Sequence, residues 1–131
     1  MAPQIIFGDV RELDLDELKT TLKDAGITRI DTAARYMNGQ SEKRIGQFKL
    51  AKSFEIDTKI LFMPPGDGTL TPEAIESSLS NSLEVMGIEK INVLYCHAPD
   101  HKTPIADQAR AFDEQFKKGR FTHVRIDCHQ I

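Results

Sequence analysis

Short apolar runs of strand length alternate along this chain with stretches of helical period, and that alternation constrains the fold more than any other feature. It is the signature of successive βα units feeding a parallel sheet. Four strands are predicted, at Gln4–Gly8, Arg29–Thr32, Glu55–Leu61 and Lys90–His97. The last contains INVLYCH, a nearly continuous apolar and β-branched run of the kind found in strands covered on both faces. At 131 residues, one domain with a modest core is the expected organisation.

Four helices are predicted between these runs. In the first, Leu15, Leu18, Leu22 and Ala25 recur at steps of three and four, and Gly26 follows as a stop. The second starts after Gly39, with Ser41 as its N-cap and Glu42 in its first turn, and runs to about Ser53. The third has the clearest start, Thr71 capping and Pro72 in the first helical position, and it carries Ile75, Leu79, Leu83 and Met86 on one face up to Gly87. The fourth places Ile105, Ala109, Phe112 and Phe116 together and ends at Lys117-Lys118-Gly119. Met63–Gly68 (MPPGDG) reads as a turn-rich surface loop, and Phe121–Ile131 alternates weakly, in the manner of a fifth strand.

Composition narrows the function classes. Apolar residues make up 40% and charged residues 28%, with a formal charge of -3, an ordinary globular balance that gives little electrostatic drive toward nucleic acid or acidic membranes. No window approaches the roughly 18 apolar residues of a membrane span, and MAPQIIFGDVRELD lacks the basic and apolar regions of a secretory signal. A cytoplasmic location is therefore expected. Cys96 and Cys128 are too few for a disulfide framework. Each stands beside a histidine, His97 and His129, but neighbours on a strand point to opposite faces and no zinc-type spacing occurs, so no metal site is expected.

Four polar residues end or follow the predicted strands: Asp31 and Tyr36 after the second, Lys59 in the third and His97 at the end of the fourth. In a βα barrel the C-terminal ends of the strands form the active face. A carboxylate, a phenol, an ammonium and an imidazole converging there make a coherent acid–base set. Tyrosine alone is a poor proton donor at neutral pH because its reference pKa is about 10. An ammonium close by favours the phenolate, and a carboxylate keeps that ammonium charged and oriented. Taken singly each residue has an ordinary explanation: a helix cap for Asp31, solvation for Lys59, packing for Tyr36.

The segments IIFG at 5–8, GITRIDTAARYMNGQSEKRIG at 26–46, IDTKI at 56–60, LTPEAIESSLSNSLEVMGIEKINVLYCHAPD at 70–100 and TPIADQARAFDEQFKKGRF at 103–121 resemble the N-terminal half of an aldo-keto reductase, in the fungal, aflatoxin-aldehyde-reductase-like branch. The order and spacing of Asp31, Tyr36, Lys59 and His97 are similar to that family's catalytic tetrad. The resemblance implies an α/β fold, a partial (β/α)8 TIM barrel of about four βα units over residues 1–121, with a divergent tail at 122–131. It also implies NADPH-dependent reduction of aldehydes and ketones to alcohols. Tyr36 would protonate the carbonyl oxygen, Lys59 and Asp31 would tune it, His97 would orient the carbonyl, and Asp31 would also contact the cofactor.

A complete barrel needs about 250 residues, and the family holds the cofactor's phosphates after the seventh and eighth strands. The expectation is thus a truncated, inactive aldo-keto reductase, by resemblance in a fungal detoxification or secondary-metabolite setting. Two alternatives stand beside it. Two half barrels joined at their exposed sheet edges as a homodimer would act on a small-molecule carbonyl substrate, or a non-catalytic chain would use its edge to engage a full-length relative.

Overall fold

The computed structural model describes residues 6–8, 15–63 and 66–126. Five strands, β1 (Ile6–Gly8), β2 (Arg29–Asp31), β3 (Glu55–Lys59), β4 (Ile91–Tyr95) and β5 (Phe121–Arg125), form one parallel sheet in the order β1-β2-β3-β4-β5. Each strand pairs with the next in sequence, with no reversal of order. That is the wall of a barrel rather than a doubly wound sheet, and it agrees with the partial TIM barrel expected. The segment from Phe121 does form a strand, over its first five residues. Gln4 and the Cys128–His129 pair lie outside the described residues.

Helices α1 (Leu15–Asp24), α2 (Gln40–Gln47), α3 (Pro72–Met86) and α4 (Ile105–Lys117) connect the strands. The core lies between helices and sheet, where Leu18, Leu22, Ile30, Ile45, Ile56, Ile75, Leu79 and Leu94 are buried together. α3 is built as its sequence predicts: Thr71 Oγ1 accepts the Ala74 N–H, Pro72 opens the helix, and Gly87 closes it at φ 65°. Only a residue without Cβ adopts that left-handed cap at no steric cost.

Two helices depart from expectation. Ser41 is not the N-cap of α2; Gly39 occupies that position and Ser41 is buried inside the helix, sharing a 2.8 Å hydrogen bond with Thr32 on the strand side. The helix ends at Gln47, not near Ser53, because Lys49 turns left-handed at φ 51° and a short 3-10 turn follows at Leu50–Lys52. In α4 the predicted apolar stripe is largely outside: Ile105 is 61% and Phe116 53% exposed, whereas Gln108 and Gln115 are buried with Ala111 and Phe112. Both glutamines find partners outside the helix, Gln108 on the backbone carbonyls of Asp100 and Thr103 in the preceding loop, Gln115 on Glu76 of α3. Tertiary hydrogen bonds thus outweigh the local period.

α2 meets the sheet and α3 through a polar seam. The buried Glu42 carboxylate accepts from Thr58 Oγ1 of β3 at 2.6 Å and Ser82 Oγ of α3 at 3.1 Å. Burial pushes its pKa above the ordinary carboxyl value, against those two hydrogen bonds. Such a group binds more protons folded than unfolded, so its contribution to stability falls as pH rises from the ordinary value through the raised one. The urea midpoint should therefore decline from pH 5 toward neutrality by more in the wild type than in Glu42→Gln; parallel curves would exclude Glu42 as the source.

The same seam is closely packed at Gly46, where an added Cβ would stand 2.3 Å from the Val85 carbonyl oxygen and 3.1 Å from Met86 Cα. Both are backbone atoms of α3, so neither can swing aside. Gly46→Ala is expected to cost about 1–3 kcal/mol of stability by forcing the helices apart, read as a lower denaturation midpoint. An unchanged midpoint would mean that α2 shifts freely.

Candidate active site

The C-terminal ends of β2, β3 and β4 bring the four predicted residues together. Asp31 and Lys59 are the last residues of β2 and β3, Tyr36 opens a 3-10 turn after β2, and His97 stands two residues beyond β4. Lys59 Nζ donates to both Asp31 carboxylate oxygens, at 2.9 and 2.7 Å, and to the Thr32 carbonyl at 2.8 Å. This spends all three ammonium protons on fixed acceptors and holds Nζ in place. The ammonium lies 4.8 Å from the centre of the Tyr36 ring, within cation–π range. Tyr36 in turn meets His97 edge to face, with ring centres 6.0 Å apart and planes at 89°.

The backbone holding Tyr36 is unusual. Met37, Asn38 and Gly39 all have positive φ, at 52°, 53° and 83°. Two successive non-glycine residues in the left-handed region are costly and persist where surrounding structure dictates them. Here the turn carries the chain from β2 to the buried start of α2, where Ser41 and Glu42 are bound to the sheet.

Sequence reasoning missed three neighbours. The Phe62 ring packs 5.8 Å from His97, the Arg35 guanidinium lies 5.7 Å from the Phe62 centre, and Tyr95 places its ring 5.6 Å from Lys59 Nζ. Tyr95 was legible, because residues two apart on a strand share a face and His97 is two further on. Phe62 lies three residues beyond Lys59 in irregular chain, where no period identifies it. Burial lowers the His97 pKa from the ordinary value, and the cations Lys59 and Arg35 act in the same direction against Asp31. Its Nδ1 is buried with no hydrogen-bond partner among the described residues. At neutral pH the imidazole is uncharged.

Chemically, the arrangement holds a phenol between an anchored ammonium and a neutral imidazole, beside a half-exposed carboxylate. The sequence model of the Aldo/keto reductase family matches residues 9–126. This chain belongs to the aldo/keto reductase family. Aflatoxin B1 aldehyde reductase member 2 of Rattus norvegicus is 32% identical over 96% of the chain and 37% of its own length. An aldo-keto reductase of Pseudocercospora fijiensis is 33% identical over 81% of the chain and 37% of its own length. A probable voltage-gated potassium channel subunit beta of Arabidopsis thaliana is 34% identical over 88% of the chain and 38% of its own length. The chain thus spans less than two-fifths of each of these curated relatives.

The described residues of this aldo/keto reductase chain contain no cluster of three or more histidine, cysteine, aspartate or glutamate side chains able to hold a metal ion. No helix among them is long and apolar enough to cross a membrane.

Proposed function

We propose that the chain contributes the proton-donating side of an NADPH-dependent carbonyl reductase site. One observation carries this reading: Lys59 is held by both oxygens of Asp31 and lies over Tyr36, which itself meets His97. When bound, NADPH supplies the hydride that reduces the carbonyl carbon. The residues present fit the reacting end of that chemistry. They offer a phenolic donor, an ammonium and a half-buried imidazole whose buried Nδ1 has no partner among the described residues, while the Asp31 side chain, 29% exposed, keeps an edge open toward a cofactor.

In this reading Tyr36 gives its proton to the carbonyl oxygen. Lys59 stabilises the charge left on the phenol, and Asp31 keeps Lys59 from swinging into solvent. The neutral His97 orients the carbonyl by hydrogen bonding. The substrate class is a small aldehyde or ketone; a setting in fungal secondary metabolism, carried by the resemblance alone, and a cytoplasmic site of action, carried by the apolar patterning of the sequence, are parts of the same proposal.

The chain spans less than two-fifths of these relatives, and the phosphate-holding groups of the family follow later strands than those present, so these residues by themselves are proposed to be inactive. A second reading is favoured by the condition of β5, whose residues Thr122 to Arg125 are all exposed. An edge of that kind seeks a partner strand, and a homodimer joined edge to edge would close the site. Calorimetric titration with NADPH, together with sedimentation and an aldehyde panel, tests both. Saturable micromolar binding by a dimer with turnover supports the closed barrel. A folded monomer that neither binds nor turns over supports the inactive half. Binding of NADPH without turnover across the panel would sink the assignment of Tyr36 as donor.

A further inference from the structure

We propose that Asp100 is a positioning residue of this site: it ties the two loops of the active face together so that Phe62 is held against His97. The proposal deepens the carbonyl-reductase reading and rests on it for the meaning of His97, but its first test needs no turnover.

Asp100 follows His97 by three residues and is 6% exposed. Its Oδ1 accepts the N–H groups of Lys102 at 3.0 Å and Thr103 at 3.2 Å, within its own loop. Its Oδ2 accepts the Leu70 N–H at 3.0 Å, from the loop after β3, and the Thr103 hydroxyl at 2.7 Å. The backbone carbonyl of Asp100 accepts from Gln108 Nε2 of α4, which also donates to the Thr103 carbonyl at 2.7 Å. One residue therefore joins the end of the first loop and the body of the second through its carboxylate, and α4 through its backbone carbonyl. These bonds hold its pKa well below the usual carboxylate range, against its burial.

The tie reaches His97 through Gly66 and Phe62. Gly66 is buried, with φ 100°, and an added Cβ there would stand 2.7 Å from Phe62 Cε2 and 3.4 Å from the Pro99 carbonyl oxygen. The first loop is thus seated on the second, immediately before Asp100, with Phe62 wedged between Gly66 and the imidazole. Fixing Leu70 to Asp100 fixes the far end of the segment that carries this wedge. MPPGDG is accordingly only partly a surface loop: Met63 is exposed, Gly66 is not.

Asp100→Asn tests the proposal. At least four donors face the carboxylate, and an amide offers one oxygen and an NH2 that is itself a donor, so one of the two loops must lose its acceptor. Amide exchange at Leu70, or at Lys102 and Thr103, should accelerate about tenfold or more. The groups around His97 are Lys59, Arg35, Asp31 and Tyr36, and none of them is altered. Hydration of the released ring removes the largest cause of its lowered pKa, so the NMR titration midpoint of His97 should rise by roughly half a pH unit or more. The resonance is assigned by its disappearance in His97→Gln. Asp107→Asn, which removes an exposed carboxylate paired with Arg110, should leave the midpoint in place.

If Asp100→Asn does not fold, Thr103→Val removes a single donor from the same network and should move the midpoint in the same direction by less. Accelerated exchange at Leu70 with an unmoved His97 midpoint would overturn the proposal and leave Asp100 as a loop staple. A shifted midpoint in a protein that binds NADPH without turning over any aldehyde of the panel would sink the carbonyl-reductase reading and sustain the positioning of the imidazole.

Discussion

In the proposed closed assembly, Tyr36→Phe should lower kcat for aldehyde reduction by about 10²–10⁴-fold, the usual contribution of a positioned proton donor, while NADPH affinity stays within about twofold of wild type, the scatter normal for a surface-level change. The substitution removes one hydroxyl and keeps the ring that the Lys59 ammonium and His97 meet. It separates chemistry from packing. A loss confined to kcat is the signature of an interaction made only in the transition state, whereas a rise in KM alone would point to substrate binding. Parallel assay of Lys59→Met should show a comparable loss, because the same ammonium that lies over Tyr36 also anchors Asp31. Full turnover by Tyr36→Phe would remove Tyr36 from the mechanism.

The largest effect on stability is expected at Asp57, in the middle of β3 and 1% exposed. Its Oδ1 accepts from Asn92 Nδ2 at 2.8 Å and from the Val93 N–H at 3.0 Å, and its Oδ2 accepts from Arg29 Nη2. One side chain thus joins three neighbouring strands below the candidate site. Asp57→Ala strips the acceptor from three donors at once, one of them a charged guanidinium whose side chain is only 15% exposed. Breaking a buried pair by removing one partner costs about 3–5 kcal/mol, a large share of the roughly 5–15 kcal/mol that holds a typical domain folded. The measurement is the urea midpoint at constant m-value. A loss below about 1 kcal/mol, the range of exposed ion pairs, would mean that water replaces the carboxylate and that the site is wetter than its burial implies.

Much of this was legible without coordinates. Thr71, Pro72 and Gly87 bound α3 by capping chemistry that acts within four residues, so its limits could be read locally. The βα rhythm named four strands correctly in place, although β3 stops at Lys59 and β4 at Tyr95, short of the apolar runs that contain them. The order of Asp31, Tyr36, Lys59 and His97 pointed to one face, where the structure brings them together, because parallel strands present all their C-terminal ends on the same side.

The misses have one cause. Ser41 reads as a cap until Thr32 is beside it; Ile105 and Phe116 read as core until Gln108 and Gln115 find partners in Asp100 and Glu76; nothing local singles out Asp100 until Leu70 arrives from thirty residues away. Period and propensity report what a residue meets within a turn or a strand, and each of these polar side chains has a partner outside its own element. By itself, then, the sequence determined the parallel βα architecture, the family and the four residues of the candidate tetrad. Only the tertiary structure decided which polar groups are buried, which face of α4 is inside, and how Phe62 and Asp100 frame His97. Those outcomes depend on hydrogen bonds between strands and loops that become neighbours only after the sheet has formed.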